Sequence, residues 1–275
     1  MTTEMQKPVR HILSLSGGKD STALAIFMRD KVANMEYVFC DTEQELRETY
    51  EYLDRLEVYL GKEIKRLTPE GKGFEELLHA RRGYLPSAQA RWCTELLKIK
   101  PFEKYLGDDT CYSYVGIRAD EMHRKGYIST KPNIIAQYPF IEAGITKPDV
   151  FRILDESGLG VPDYYKCRSR SGCYFCFFQQ RIEWVGLLEN HPDLYEKAKK
   201  FEKENPETGE RYTWASRESL SELQSPERIE QIKREHARRQ EINKTRRQSN
   251  QTLSQVFTEL DLDDTSSEGC LVCHL

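Results

Sequence analysis

Two kinds of hydrophobic pattern alternate along the first 160 residues of the chain. Short runs of apolar and β-branched residues predict buried strands at His11–Ser16, Glu36–Cys40 and Cys111–Ile117. Helix-forming stretches, some with apolar residues three or four positions apart, predict helices over Asp20–Lys31, Glu43–Leu60, Phe74–Arg82 and Glu95–Tyr105. Strands that alternate with helices favour a parallel sheet with helices on both faces. We therefore predict an α/β fold.

The pattern changes after Gly160. Val161–Gln180 has neither helical nor strand periodicity and contains three cysteines, which predicts a loop-rich segment. An amphipathic helix over Arg181–Asn205 and a polar helix over Pro226–Gln248 are predicted next. The acidic stretch Glu259–Glu268 predicts a flexible tail. We therefore expect a domain over residues 1–160, a cysteine-rich segment with a helical appendage over 161–250, and an acidic tail over 251–275 that ends in C-x-x-C.

Charge and hydropathy narrow the class of protein. The chain has 41 basic and 45 acidic side chains, so its net charge of −4 excludes a uniformly basic nucleic-acid coat but leaves room for a local basic patch. No apolar run approaches the ~18 residues of a membrane span, and the first residues lack a signal-peptide segment. We therefore predict a cytoplasmic protein with no membrane partner. Disulfides are disfavoured in that compartment, so the eight cysteines indicate metal or redox chemistry.

The most informative motif is Ser16-Gly17-Gly18-Lys19-Asp20-Ser21, which lies between the first predicted strand and the first predicted helix. Glycines allow close backbone approach, the helix N-terminus attracts anions, and Lys19 adds a positive charge, so the loop suits a polyphosphate. It is not a Walker A loop, because the four residues that separate the two glycines of that motif are missing. A surface turn followed by an N-capped helix is the alternative, because Ser and Asp are common N-caps.

Two more polar segments follow predicted strands, at the strand ends where parallel sheets bind ligands. Asp41 is suited to accept hydrogen bonds from a ribose hydroxyl or an adenine amine, and equally suited to cap the helix that starts at Glu43. Arg118 offers a two-pronged donor to phosphate, with a surface salt bridge as the alternative. Asp120 or Glu121 is suited to hold Mg²⁺.

Three cysteines lie in a C-x5-C-x2-C run, namely Cys167, Cys173 and Cys176. Cys93 is the candidate for a fourth ligand from earlier in the chain. Four thiolates suit either zinc or an iron–sulfur cluster, and the spacing alone leaves both open. Unliganded thiols are the remaining alternative.

The other four cysteines fall into two pairs. Cys40 and Cys111 lie inside predicted strands, which indicates core positions. Cys270 and Cys273 lie on the predicted tail, where a C-x-x-C pair suits sulfur relay or thiol exchange, or has no role.

Basic residues flank the cysteine run and alternate with aromatic ones. Such a mixture suits contact with a nucleic-acid backbone and stacked bases. It would equally balance the charge of an anionic cluster. The basic residues are Lys166, Arg168, Arg170 and Arg181.

The SGGKDS loop resembles the signature loop of the N-type ATP pyrophosphatases, and three further segments resemble the phosphoadenosine-phosphosulfate-reductase branch of that family. They are Phe39-Cys40-Asp41-Thr42 before Glu48-Thr49, Gly116-Ile117-Arg118-Ala119-Asp120-Glu121 before Arg124, and Tyr138-Pro139-Phe140-Ile141 before Pro148-Asp149-Val150. The resemblance extends over about residues 10–180. It implies an adenine-nucleotide α-hydrolase-like fold, with a nucleotide-binding ATP pyrophosphatase domain over residues 1–160.

The resemblance also implies roles for individual residues. The implied catalytic residues are Lys19, Asp20 and Arg118. The implied ATP-binding residues are Ser14, Ser16, Gly17, Gly18, Lys19, Asp20, Ser21, Asp41, Thr42, Gly116 and Arg118. A [4Fe–4S] cluster is the implied metal group, with zinc as the alternative, and its implied ligands are Cys93, Cys167, Cys173 and Cys176. The chain has Trp92-Cys93 where members that use adenylyl sulfate have two adjacent cysteines.

Within this branch the chain is most similar to the ATP pyrophosphatase component of DNA phosphorothioation systems, which keep SGGKDS and a later R-x-G-C-x-x-C run, here Arg170 to Cys176. This likeness implies that ATP with Mg²⁺ adenylates a target oxygen, preferably on a DNA backbone phosphate, and that sulfur then replaces it. The implied partners are DNA, a cysteine desulfurase as sulfur donor and other subunits of a modification complex. The alternatives are an adenylyl-sulfate (APS or PAPS) reductase that uses Cys270 or Cys273, a tRNA thiolation enzyme, and a nucleotide-binding subunit without activity.

Overall fold

Five parallel strands form the central sheet of the computed structural model, which describes residues 8–69, 71–121, 131–204, 209, 211–215 and 218–248, with the backbone alone over 243–248. The strands are β1 (Arg10–Leu15), β2 (Met35–Cys40), β3 (Ile64–Leu67), β4 (Cys111–Tyr114) and β5 (Ile134–Gln137). Their order in the sheet is β3-β2-β1-β4-β5, and every neighbouring pair is parallel. The predicted α/β fold is confirmed.

Helices connect the strands and continue beyond the sheet. Those of the first 160 residues are α1 (Lys19–Met28), α2 (Arg47–Leu60), α3 (Phe74–Ala80), α4 (Trp92–Thr94), α5 (Lys100–Leu106), α6 (Pro139–Glu142) and α7 (Lys147–Glu156). The later ones are α8 (Arg181–Asn190), α9 (Pro192–Lys199), α10 (Leu220–Leu223) and α11 (Pro226–Gln248), with a short antiparallel ribbon of β6 (Lys203–Glu204) and β7 (Arg211–Tyr212) between α9 and α10. Among these described segments, no helix is long and apolar enough to cross a membrane.

Both faces of the sheet are buried, which explains why its central strand is apolar along most of its length. Successive side chains of a strand point to opposite faces. Leu13 and Leu15 of β1 lie in a core that also contains residues of α1, α2 and α7. Ile12 belongs to the core on the other face, where it is joined by Phe102 and Leu106 of α5.

The structure confirms that Cys40 and Cys111 are core residues. Their exposed fractions are 1% and 0%, and both belong to the core that contains α5. Burial raises the pKa of Cys40 to about 12 and that of Cys111 to about 11. Both thiols therefore stay protonated at neutral pH and contribute packing, because thiolate is the reactive form.

Two predicted helices have different bounds in the structure. The predicted helix over Glu43–Leu60 begins only at Arg47, because the chain first turns at Glu43, whose φ is 60°. The predicted helix over Arg181–Asn205 is two helices that meet at His191. Pro192 lacks an N–H and disfavours a helical conformation at the residue before it, so the first helix ends there.

Sequence patterning also missed local features of the sheet and its flanking helices. The edge strands β3 and β5 are only four residues long, too short for a clear alternation of apolar and polar positions. The predicted helix over Glu95–Tyr105 contains a π-helical segment, Glu95–Ile99, that is continuous with α4 and α5.

A second hydrophobic core lies outside the sheet and is mostly aromatic at its centre. Phe175 of the cysteine-rich segment packs against Phe74 of α3, with ring centroids 4.1 Å apart, and stacks on Trp214 at 5.0 Å. Trp92 and the fully buried Trp184 of α8 belong to the same core. This core therefore draws side chains from both sides of Gly160, and it packs the cysteine-rich segment against α3 and α4.

Candidate nucleotide site

Three segments that the sequence singled out follow neighbouring strands of the sheet. β1 lies between β2 and β4, and the chain leaves these three strands at Ser16, Asp41 and Val115. β2 and β3 lie on one side of β1, whereas β4 and β5 lie on the other. Parallel sheets bind ligands where the strand order reverses in this way, at the carboxyl ends of the strands. The segments therefore meet at the edge of the sheet where a nucleotide is expected.

The loop after β1 packs too closely for side chains at its two glycines. Gly17 has a φ of 70°, and a Cβ atom there would lie 2.5 Å from Thr49 Cγ2. A Cβ atom at Gly18, the N-cap of α1, would lie 2.8 Å from Ser171 Oγ. Gly17 therefore requires glycine for its backbone conformation, whereas a side chain at Gly18 would displace the Ser171 hydroxyl.

Serine hydroxyls hold this loop from within. Ser21 Oγ accepts a hydrogen bond from Ser16 N–H at 3.1 Å and donates one to the Gly18 carbonyl at 3.2 Å. Ser14 is 2% exposed, and its hydroxyl has no hydrogen-bond partner within the described chain. A buried hydroxyl without a partner is uncommon in proteins. Gly116 approaches from the loop after β4, where a Cβ atom would lie 3.3 Å from the Asp20 carbonyl.

The three predicted catalytic residues meet at one carboxylate. Lys19 Nζ lies 2.7 Å from Asp20 Oδ2, and Arg118 Nη1 lies 2.8 Å from Asp20 Oδ1. Arg118 also contacts Asp120 through Nε at 2.9 Å and Glu121 through Nη2 at 2.9 Å. The side chains of Lys19, Asp20 and Arg118 are only 13%, 12% and 7% exposed. Arg118 is therefore the centre of a buried ion-pair network, and the alternative of a surface salt bridge is wrong.

The network keeps all three groups charged. Burial lowers the pKa of Lys19, but the oxygens of Tyr165 and Asp20 outweigh this effect, so the pKa rises above its ordinary value. Burial raises the pKa of Asp20, but the charges of Lys19 and Arg118 outweigh it, so the pKa falls. Burial likewise opposes the charge on Arg118, whose pKa is nevertheless raised by Asp120 and Asp20. An ammonium and a guanidinium therefore persist at this site at neutral pH.

The residues suggested for Mg²⁺ have a different partner in the structure. Asp120 and Glu121 both pair with Arg118. Over the residues that the structure describes, no group of three His, Cys, Asp or Glu side chains could hold a metal ion. The carboxylates therefore do not form a ready magnesium site. In nucleotide enzymes Mg²⁺ is commonly bound by the substrate phosphates together with only one or two protein carboxylates.

Asp41 is buried and is held in place by a turn and a tyrosine. Its Oδ1 accepts hydrogen bonds from Glu43 N–H at 2.8 Å and from the Tyr50 hydroxyl at 2.7 Å. It is not the N-cap of α2, because that helix begins four residues after Glu43 and its N-cap is Leu46. The neighbouring Thr42 Oγ1 donates to Glu45 Oε1 at 2.9 Å. Asp41 therefore retains the position expected for a ribose or adenine contact, and the helix-cap alternative is wrong.

A tyrosine pair from the cysteine-rich segment covers the candidate phosphate loop, residues Ser16 to Ser21, and sequence reasoning did not assign this pair. The Tyr164 hydroxyl donates to the Gly17 carbonyl at 2.8 Å, and the Tyr165 hydroxyl accepts from Lys19 N–H at 3.2 Å. Ser171 Oγ donates to Ser16 Oγ at 3.1 Å. The Tyr-Tyr pair just before the cysteines was the available signal, but only the tertiary contact gives it a place in the site.

Three of the four predicted cysteine ligands line one cavity. Cys93, Cys173 and Cys176 border a space of about 40 Å³ together with Thr42 and aromatic side chains. Thr42 Oγ1 lies 3.1 Å from Cys173 Sγ, so this cavity adjoins the Asp41 segment. Burial, followed by the charge of Glu45, raises the pKa of the Cys173 thiol well above its ordinary value.

Cys167 is not among the residues that line this cavity. Its Sγ donates to the Tyr164 carbonyl at 3.3 Å, and its backbone packs on α8, where a Cβ atom at Gly186 would lie 2.7 Å from the Cys167 carbonyl oxygen. The described side chains form no metal-binding group, as stated above. The structure therefore brings three of the four predicted ligands to one cavity and leaves Cys167 outside its lining.

Two basic residues beside the cysteines make contacts within the protein. Arg168 is 4% exposed and donates to the carbonyls of Gly172 and Cys173 at 2.9 and 3.1 Å. Arg181 Nε lies 2.8 Å from Glu218. Arg168 therefore braces the chain from a buried position, whereas Arg181 stays exposed beside Glu218.

Comparison of the sequence with known proteins identifies a family and several relatives of this chain. A family model described as the phosphoadenosine phosphosulfate reductase domain matches residues 10–177. An uncharacterised protein of Methanocaldococcus jannaschii is 28% identical over 207 residues, which cover 70% of this chain and 41% of that protein. A second uncharacterised protein of the same organism is 27% identical over 197 residues, which cover 67% of this chain and 45% of the relative. The matched part therefore spans less than half the length of either relative.

A solved structure with a similar chain path is the phosphoadenylyl-sulfate reductase from Candida auris in its phosphate complex. It shares 16% sequence identity with this chain, with a TM-score of 0.47. The match covers 61% of this chain and 82% of the reductase.

Proposed function

The chain belongs to the phosphoadenosine phosphosulfate reductase domain family, and from this premise we propose that it is an ATP pyrophosphatase that adenylates a DNA backbone phosphate so that sulfur can replace an oxygen. The reductase for which the family is named acts on a sulfated adenine nucleotide, so the family connects this chain with sulfur chemistry on nucleotides. The proposal specifies the nucleotide, the product released and the polymer modified. A cysteine desulfurase would supply sulfur, and further subunits would assemble with this chain.

One observation carries the proposal: an intact glycine loop positions Lys19 and the N-terminus of the ten-residue helix α1 beside Arg118. Helix N-termini and fixed cations favour phosphate oxygens. An adenylyl sulfate has no β,γ-pyrophosphate and offers such a loop only a singly charged sulfate, so it gains less from the loop than ATP does. A phosphate at the start of α1 would replace the Tyr165 hydroxyl as the partner of Lys19 N–H. These features support ATP over an adenylyl sulfate as the substrate.

The proposed reaction has two displacement steps. A non-bridging oxygen of the DNA phosphate attacks the α-phosphorus of ATP, the bond to the β-phosphate oxygen breaks, and pyrophosphate leaves. Lys19 stabilises the negative charge that grows on the departing pyrophosphate. A sulfur nucleophile then attacks the adenylated DNA phosphorus, and AMP departs with the original oxygen. When the donor is a persulfide, a thiol reductant cleaves the resulting S–S bond and leaves sulfur on phosphorus.

Product analysis tests this function. Anaerobically prepared protein is incubated with ATP and Mg²⁺, with and without DNA, desulfurase and cysteine, and AMP, pyrophosphate and DNA-bound sulfur are measured. In the complete mixture we expect equal amounts of AMP and pyrophosphate, and sulfur incorporated into DNA. Without desulfurase and cysteine, the AMP should stay attached to the DNA and no sulfur should be incorporated. Sulfite release from adenylyl sulfates with thioredoxin, without pyrophosphate release from ATP, would instead establish a reductase. Sulfur incorporated into tRNA but not into DNA would establish a tRNA thiolase.

The [4Fe–4S] cluster inferred from the resemblance remains a prediction, and no step above depends on it. Three thiols on one cavity support it, whereas the position of Cys167 does not. We expect anaerobically prepared protein to contain iron and to show a broad visible absorption band. Cys173→Ser should abolish the band, and the buried core variant Cys111→Ser should keep it. Protein that contains zinc and no iron would contradict the prediction.

A further inference from the structure

A groove with a basic rim runs beside the carboxyl end of edge strand β3. Its volume is about 690 Å³. Its walls come from the end of β3, the loop that follows, α3, the π-helical segment and α5. The apolar wall residues include Leu67, Pro69, Leu77, Leu96 and Pro101.

Four cations line this groove and no carboxylate does, within the part of the chain that the structure describes. They are Arg66, Lys72, Lys100 and Lys104, and all four residues are exposed. Lys100 and Lys104 are one helical turn apart and therefore lie on the same face of α5. Lys100 pairs with Glu95 at 3.2 Å, but both side chains are more than half exposed, so the pair is weak and yields readily to another anion.

The groove shares backbone and side-chain contacts with the candidate nucleotide site. Leu67, which lines the groove, accepts a hydrogen bond from Asp41 N–H at 2.9 Å. Arg66 lies 5.7 Å from the centre of the Tyr50 ring, and the hydroxyl of Tyr50 donates to Asp41. The carbonyl of Lys98, between the groove residues Leu96 and Lys100, accepts from Cys40 Sγ at 3.5 Å. A polymer in the groove would therefore run alongside the segment that carries Asp41.

We propose that this groove binds the sugar–phosphate backbone of the nucleic acid that the enzyme modifies. The inference rests on the proposed function, because it names where that polymer lies. Cations spread along a groove can neutralise several phosphates at once and release their counterions. The apolar walls supply contact area for sugars and bases between them. A chain with a net charge of −4 would otherwise repel DNA, so a local basic surface is needed.

The test is DNA binding by a triple variant, Lys72→Gln with Lys100→Gln and Lys104→Gln. A fluorescein-labelled DNA duplex is titrated with full-length protein, and anisotropy is followed between about 50 and 200 mM salt. We expect the variant to bind roughly 100-fold more weakly at low salt, and the slope of log affinity against log salt to fall by about 2 to 3, because each lost phosphate contact removes about 0.9. Equal affinities and equal slopes would overturn the proposal.

A matched control removes the same charge elsewhere. Lys62, Lys147 and Lys233 lie outside the groove, and their replacement by Gln should leave DNA affinity within about threefold of the wild type, since a screened charge far from the contact contributes little. An equal loss of DNA affinity in both triple variants would show that net charge causes the loss, and it would overturn the groove assignment. Loss of poly-glutamate binding without loss of DNA binding would assign the groove to an acidic protein segment, which also overturns it.

The failure of this inference can be told apart from the failure of the proposed function. At a DNA concentration that saturates both proteins, pyrophosphate release from ATP should be the same in the wild type and the groove variant, because the groove lies outside the phosphate loop. If neither protein releases pyrophosphate, the proposed function fails while the difference in DNA binding still decides the groove. If both release it and bind DNA equally, only the groove assignment fails.

Discussion

Replacing Lys19 by alanine is expected to slow pyrophosphate release from ATP by at least about 100-fold, because the loss of one preorganised group that stabilises transition-state charge typically costs that much. The Lys19 side chain is 13% exposed and is paired with Asp20, so it is already positioned for the proposed nucleotide. The removal should change kcat more than KM, since charge on the pyrophosphate increases only as the bond breaks. Single-turnover measurement of radiolabelled pyrophosphate would record this effect.

Two companion variants define what the loss means. Lys19→Arg keeps a cation and should retain part of the rate, although its planar group fits the loop less well. Lys31→Ala removes a lysine beyond the other end of α1, where the ammonium lies over the Phe27 ring, and it should leave the rate within about twofold of the wild type, because a charge that distant is largely screened. Full activity in Lys19→Ala would show that the loop does not act on the leaving pyrophosphate. Asp20 keeps Arg118 in that variant, so its fold should persist.

Replacing Arg118 by methionine is expected to lower the free energy of unfolding by about 3 kcal/mol at pH 7, because removing one member of a buried ion pair leaves uncompensated charge. The Arg118 side chain is 7% exposed and contacts Asp20, Asp120 and Glu121. In this variant Asp20 would still pair with Lys19, so the loss of unfolding free energy should lie at the lower end of the usual range. Urea unfolding would measure it. Arg152→Met, at an exposed pair with Asp149, should cost less than about 1 kcal/mol.

The pH dependence of this loss has a defined sign. The pKa of Asp20 is lowered in the folded protein, so its ionised form stabilises the fold above the ordinary Asp pKa of about 3.9, and this contribution disappears as pH falls through the folded value. In Arg118→Met the pKa of Asp20 moves back upward. The stability difference between the wild type and the variant should therefore shrink below about pH 4. A difference that stays constant from pH 7 to acid would contradict the network described for Arg118.

The parts of the fold that sequence patterning predicted are those set by local composition. The three inner strands and α1 have apolar runs or helix formers within a few consecutive residues, so their positions agree with the pattern to within a few residues. The edge strands β3 and β5 were missed because four residues with polar neighbours carry too little periodicity. The break at His191 was readable from Pro192, but the apolar spacing of the flanking residues pointed to one continuous helix.

In the candidate site, too, the sequence predicted the features that depend on neighbouring residues and missed those that depend on distant contacts. The loop from Ser16 to Ser21 is contiguous, and its chemistry follows from glycine, lysine and a helix N-terminus. Arg118 was predicted as a phosphate donor, and its partners Asp120 and Glu121 lie within three residues, yet nothing local shows that all of them share one buried network with Asp20. The assignment of Cys270 and Cys273 to sulfur relay and the place of Arg124 in the third motif lie outside the described residues.

What the sequence by itself determined is the parallel α/β architecture, the place of the glycine-rich loop between β1 and α1, and the core positions of Cys40 and Cys111, because each depends on neighbouring residues and on simple burial. Only the tertiary structure decided which residues cover the loop. Tyr164 and Gly17 are 147 positions apart, and Ser171 and Ser16 are 155 positions apart. It likewise separated Cys167 from the three thiols that share a cavity and gathered four cations around one groove. Contacts over such distances depend on how whole elements pack, and no spacing within a single segment encodes them.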